Sequence, residues 1–400
     1  MFSAAGVIDT DRVEILEMAI DRLSKDHLDR ALVLATVCAE LSFGSPLERR
    51  QALAEEAIAI AESSGDDAVI VQVLNQVCWP LLTPPLLEQS LARTADAVVR
   101  AERIGDPLLL FWAATTRLWS TASAGDIDEV DRCLEIMGSL AEQLDQPTLR
   151  WVHTYLGAGR AQIAGDTDRA EQLATEALQI GTDGGEPDAT LFFDAQRITV
   201  YLQRGTLSEL VPLIEQAVDE NPGIPMYRAV LASAYAEVGR TNDARQLLEE
   251  FAVAGFDLPL DGTTWIAGMA NYAGAAIECR DPLYAESLFD QLRPWADQLP
   301  FTITPADPVS HFLGGLATVL GRYDQANAYF TQAAAFSDRV GAKFFAARTD
   351  LSWGKMLAER RGPGDTEKAR DLFTKAHAAA AAYGYSIVER RATEALQDLN

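Results

Sequence analysis

Histidine is the side chain most often recruited for proton transfer or metal binding near neutral pH, and this chain has four: His27, His153, His311 and His377. Each belongs to a different predicted helical hairpin, and none has a companion at metal-binding spacing. Cys38, Cys78, Cys133 and Cys279 are equally dispersed, with no C-x-x-C pair, so neither a zinc site nor a redox couple is indicated. Paired carboxylates occur at Asp66-Asp67, Asp128-Glu129 and Asp219-Glu220. They fall at or near helix ends, where an acidic group complements the backbone dipole without any catalytic role. Gly354-Lys355 lacks the glycine spacing of a phosphate loop. No G-x-S-x-G elbow and no H-E-x-x-H helix occur. The expectation is a protein with no catalytic residue, no metal ligand and no cofactor.

The elements that would carry these residues are helices punctuated at roughly forty-residue intervals, the signature of stacked helical hairpins. The marks are Gly44-Ser45-Pro46, Thr83-Pro84-Pro85, Gly125-Asp126, Gly165-Asp166, Gly205-Thr206, Gly239-Arg240, Arg280-Asp281-Pro282, Gly321-Arg322 and Gly364-Asp365. Apolar residues at helical spacing predict outer helices over 46–64, 85–105, 127–144, 167–181, 207–220, 241–254, 282–298, 323–338 and 365–382. Their inner partners are expected over 27–43, 66–82, 107–124, 147–164, 187–204, 225–238, 263–279, 307–320 and 342–360. This is an all-α chain of about nine hairpins spanning 25–382. A flanking helix precedes them within 1–24, and a cap helix follows within 383–400. The cap ends in Arg390, Arg391, Glu394, Gln397 and Asp398, a polar face suited to water. Residues 181–187, 254–264 and 294–308 are rich in glycine or proline and are expected to bend the array.

Composition narrows the partners. The net charge of −26 excludes a phosphate-backbone surface and an anionic membrane surface, both of which need a Lys/Arg stripe. No apolar run reaches membrane-spanning length, and the first residues lack a basic, then apolar, leader pattern. Dispersed thiols among apolar neighbours fit buried, reduced cysteines in a cytoplasm.

Leu231, Ala232, Tyr235 and Ala244 flank Gly239 in the pattern of the tetratricopeptide repeat. Leu313, Gly314, Ala326, Phe330 and Ala333 do the same around Gly321. The chain therefore resembles a long-helix variant of that repeat. The resemblance implies a right-handed superhelix whose inner helices line a concave channel. Carried over by position, the channel stripe is Trp112, Trp119, Tyr155, Phe192 and His311. These residues either line a groove for a peptide or small apolar ligand, or fill ordinary space between helices.

A second resemblance rests on Gly6-Val7-Ile8-Asp9-Thr10-Asp11-Arg12-Val13-Glu14-Ile15-Leu16-Glu17, on 49–57, and on Gly362-Pro363-Gly364-Asp365 with Ala369-Arg370-Asp371-Leu372-Phe373. These segments are similar to the C-terminal repeat region of STAND-type, MalT-like transcriptional regulators and of actinobacterial adenylyl cyclase fusions. In that family the repeats sense an inducer or a partner protein and restrain an ATPase module. The chain begins where that module would end, and ATP and DNA binding do not carry over. Two roles follow: a non-catalytic scaffold for a protein or peptide in signalling, or a small-molecule sensor.

Overall fold

In a computed structural model, residues 5–399 are described; 1–4 and 400, the extremes of the two flanking segments, lie outside them. The described residues form twenty α-helices and three short 3-10 turns. After α1 (Thr10–Arg22), nine hairpins follow in chain order. They are α2 (Leu28–Glu40) with α3 (Leu47–Ser64), α4 (Asp67–Val77) with α5 (Leu87–Ile104), and α6 (Pro107–Ala124) with α7 (Ile127–Leu144). Next come α8 (Pro147–Ala164) with α9 (Thr167–Gly184), α10 (Ala189–Arg204) with α11 (Val211–Glu220), and α12 (Met226–Glu237) with α13 (Thr241–Val253). The last are α14 (Thr264–Cys279) with α15 (Pro282–Leu292), α16 (Val309–Val319) with α17 (Tyr323–Val340), and α18 (Lys343–Arg360) with α19 (Asp365–Tyr383). Helix α20 (Ser386–Asp398) ends the chain.

The recurring Gly-Asp dipeptide has a local cause. Glycine ends one helix in the left-handed conformation, and aspartate then caps the next. Gly65 has φ 69°, and Asp66 accepts hydrogen bonds from the Ala68 and Val69 N–H groups. Gly105 with Asp106, and Gly165 with Asp166, repeat the arrangement.

Several helix ends differ from the sequence expectation, the helix expected over 66–82 stopping at Val77, and two of them show their cause plainly. The connector expected to begin at Gly181 is helical through Gly184, because the Gly185 N–H still reaches the Thr182 carbonyl. The helix expected to reach 298 stops at Leu292 and tightens to a 3-10 turn over Arg293–Trp295, since Pro294 supplies no backbone donor.

The array closes on itself. Turns that end three successive inner helices of the first half meet α17, the N-cap of α20 and α20 itself in turn. Gly125 lies against Phe336, Gly165 against Tyr385, and Gly205 against Ile387. The Tyr385 hydroxyl donates to the Gly165 carbonyl at 2.9 Å, and a Cβ on Gly165 would fall 2.1 Å from that oxygen. Helix α20 is therefore more than a polar cap. Arg390, Glu394, Gln397 and Asp398 do face water, but Arg391 turns inward and pairs with Glu237 at 2.9 Å.

At the opposite end Arg50, on α3, is fully buried. It donates to the Pro80 carbonyl at 2.5 Å and to the Leu260 carbonyl, and it faces Asp261 at 3.7 Å. Asp261 in turn accepts from the Gly44 N–H at 3.1 Å. One side chain thus ties the first hairpin to the loop before α14. Replacing Arg50 by Met leaves the Asp261 carboxylate buried without its cation, and should destabilise by about 3–5 kcal/mol. A shift of the urea midpoint of that size, with helical circular dichroism retained in water, is the expected result. A loss below ~1 kcal/mol would mean that the tie is incidental.

Candidate functional site

The 294–308 segment is an internal strap. It lies across the inner helices of the first half, where the sequence suggested an open channel. The Leu299 N–H donates to the Ser123 carbonyl at 2.8 Å, and the Gln298 side-chain amide donates to the Pro84 carbonyl at 3.1 Å. Phe301 meets Trp119 edge-on, with ring centroids 5.6 Å apart. Gln196, buried on α10, donates to the Tyr155 and Ile303 carbonyls at 2.7 and 3.2 Å. Gly159 on α8 is glycine because the strap passes there: an added Cβ would sit 3.0 Å from the Ile303 carbonyl oxygen.

The expected stripe is divided by this arrangement. Trp119, 6% exposed, packs between Trp79 and Phe301. Phe192 stacks on Trp151 at 5.4 Å and meets Tyr155 edge-on at 5.0 Å. Tyr155 is buried, and burial pushes its phenol above the usual range. Trp112 is half-buried beside Phe111, away from the others. His311 sits on α16 in the second half, bonded to Thr349 at 3.0 Å, and burial lowers its pKa. A peptide laid along this face would find the strap already there.

Between the strap and the two halves lies a cavity of about 180 Å³. Trp79, Trp119 and Phe192 wall it from the first half, and Phe344, Phe345 and Arg348 from the last hairpin. Strap residues from Pro300 to Asp307 close a further side. Array closure thus brings α6 and α18, which lie in distant hairpins, to one space.

Arg348 is the one cation lining the cavity among the described residues. Its guanidinium lies over the Phe344 ring at 5.6 Å, and reaches Asp307 at 3.4 Å and Glu237 at 4.0 Å. A smaller polar pocket of about 60 Å³ adjoins on its far side. Ser233, Phe344 and Arg348 line both spaces, and Glu278, Lys355 and Arg391 line the second.

The four thiols are all buried, and burial pushes those of Cys38, Cys78 and Cys133 up to about 12. Among the described residues, no three His, Cys, Asp or Glu side chains are grouped to hold a metal ion, and no helix is long and apolar enough to cross a membrane.

No family model and no curated protein matches the chain. Among solved structures it is similar to a protein described as a "circular tandem repeat protein with novel repeat topology and enhanced subunit contact surfaces". The two are 15% identical over 97% of this chain and 87% of that one, with a TM-score of 0.14. At that score the likeness carries no argument, and the all-α repeat architecture rests on the helices themselves.

Sequence reasoning passed over Arg348, Asp307, Phe301 and Gln196. The available signal is the recurrence of Gln162, Gln196 and Gln203, with Gly159, among the apolar residues of two inner helices. Trp119→Ala and Phe301→Ala should each cost about 3–5 kcal/mol, since both rings are buried. Chemical denaturation measures this. A cost under ~1 kcal/mol for Trp119→Ala would show that the ring lines an open channel instead.

Proposed function

We propose that this chain is a regulatory helical-repeat module, without a catalytic step, that binds one small, largely apolar molecule in its central cavity. The observation that carries this reading is the double wall. Residues of the first half and of the last hairpin face the same space, so an occupant would touch both. Such a ligand binds the closed array and not the open one, and so favours closure by mass action. The volume is comparable with the ~150 Å³ apolar cavity that accepts benzene in another protein. A ligand of roughly eight to ten heavy atoms fits that scale.

Other features support the same reading. The resemblance to STAND-type repeat regions, whose repeats sense an inducer, supports a role for such a module in signal-dependent transcriptional control. The acidic balance of −26 sets the surface against nucleic acid. Four buried thiols suit a reducing cytoplasm. The small-molecule sensor is favoured over the peptide scaffold because the strap occupies the face a peptide would need.

Toluene tests the cavity directly. At about one hundred times its Kd, it should add ~2.7 kcal/mol and raise the melting temperature by a few degrees. Ala195→Phe, which places a ring among the cavity-lining residues, should keep the helical spectrum and abolish the shift. If no apolar probe of this size raises the melting temperature, or if the shift survives Ala195→Phe, the cavity is not a binding site.

A further inference from the structure

The cavity wall is largely apolar, with hydroxyls such as Thr199 and Thr264 and the amide of Asn271 among its lining, and its one cation among the described residues is a guanidinium with poor partners. Among the described residues Arg348 has two ionic contacts, at 3.4 and 4.0 Å, and one aromatic ring. Charge-assisted N–H bonds to carboxylates are normally about 2.7–2.9 Å long. Arginine offers five donors in a rigid planar fork, and here none makes a hydrogen bond among the described residues. Asp307 and Glu237 hold the group in place without saturating it. Glu237 is engaged more closely by Arg391, at 2.9 Å.

The other charges facing this guanidinium come from three helices. Lys355 on α18 and Glu278 on α14 stand on the solvent side of the polar pocket. Neither is within 4.0 Å of an opposite charge among the described residues. His311 on α16 is buried, and burial favours its neutral form. The inner charges balance: Arg348 and Arg391 against Asp307 and Glu237. Further out, Lys355 is matched by Glu278, so an incoming acceptor meets three cations against three carboxylates and no net negative charge. Asp307 lines the cavity, and Glu237 the polar pocket, on either side of the guanidinium.

We propose that the cavity takes a compact apolar molecule whose polar end is a carboxylate or carbonyl, seated on the Arg348 guanidinium with its apolar body among Trp119, Phe192 and Phe345. This rests on the cavity being a binding site, and it adds the chemistry of the occupant. A carboxylate matches the fork by two parallel N–H bonds, and a carbonyl oxygen accepts one or two. A ligand ending in an amine would present donors to donors.

Four probes of one size separate these cases: benzoate, acetophenone, benzylamine and toluene, each titrated into the full chain by calorimetry. Benzoate or acetophenone should bind at least about tenfold more tightly than toluene, with benzylamine the weakest. Arg348→Met should remove that preference and leave toluene binding intact. Asp307→Asn, which releases the guanidinium from its nearer carboxylate, should strengthen benzoate binding, an effect that a purely structural role for Asp307 would not produce. If toluene binds and benzoate and acetophenone do no better, the acceptor assignment is wrong while the cavity reading stands. Tightest binding by benzylamine overturns it in the same way. If none of the four binds, both readings fall together.

Discussion

The concave face of a helical array must be covered, and here the chain covers it with its own strap. A stack of hairpins leaves one side of its inner helices apolar, and that surface costs free energy as long as water touches it. Open solenoids meet this with polar inner faces or with a partner. This chain instead lays Leu299, Phe301 and Ile303 onto α6, α8 and α10. The strap is not helical, because Pro300, Pro305 and Pro308 remove donors along it. Some of its backbone groups bond within the strap, as the Ala306 N–H does to the Pro300 carbonyl, and others find partners on the helices beneath. The Ser123 carbonyl and the Gln196 amide are such partners. Gln196 belongs to a ladder of buried glutamines between α8 and α10, with Gln162 and Gln203, and it is the one that also donates to the strap, at Ile303.

Closure follows from the same constraint. Once the strap lies on the first half, α16 and α18 are carried after it, and α20 comes to rest against α10. Glycine turns accept this approach because they have no side chain to displace, as at Gly165 beneath Tyr385. At the other end Arg50 secures the loop before α14 by backbone carbonyls and Asp261. A fully buried arginine is costly unless its donors are used. Arg50 turns its two Nη groups to the carbonyls of Ser42, Pro80 and Leu260, which ties three segments together. Arg348 is the contrasting case, placed by carboxylates at 3.4 and 4.0 Å, with no hydrogen bond to another described residue, at the wall of the cavity.

Local structure was legible in the sequence because its causes are local. The Gly-Asp marks end and restart helices through one left-handed residue and one cap, so the nine hairpins could be placed from spacing alone. What the inner face holds was not legible in the same way. Trp119, Tyr155 and Phe192 were identified as inner-face aromatics by repeat position, and all three are close to the strap or the cavity. Their covering comes from residues about 110 to 180 positions later, and no periodic pattern encodes a contact of that range. His311, from the same stripe, lines the adjoining polar pocket and not the cavity itself. It occupies an equivalent place in its own hairpin, but closure has put that hairpin on the other side of the space.

The cavity is what remains when a curved array and a proline-rich strap are fitted together. Filling it would be simple in chemical terms, since Ala195 and Ala267 border it and could be larger. By the cost of voids in protein cores, about 24 cal/mol per Å³, a fully enclosed empty space of this size forgoes on the order of 4 kcal/mol. That figure is an upper limit here, because the polar pocket opens the space at the Arg348 end. A molecule of the right size recovers part of it by restoring the missing contacts, with no ordering of the chain beyond closure. The donors of Arg348 then decide which such molecule is preferred, because an apolar wall discriminates by volume and only a directed polar group discriminates by chemistry.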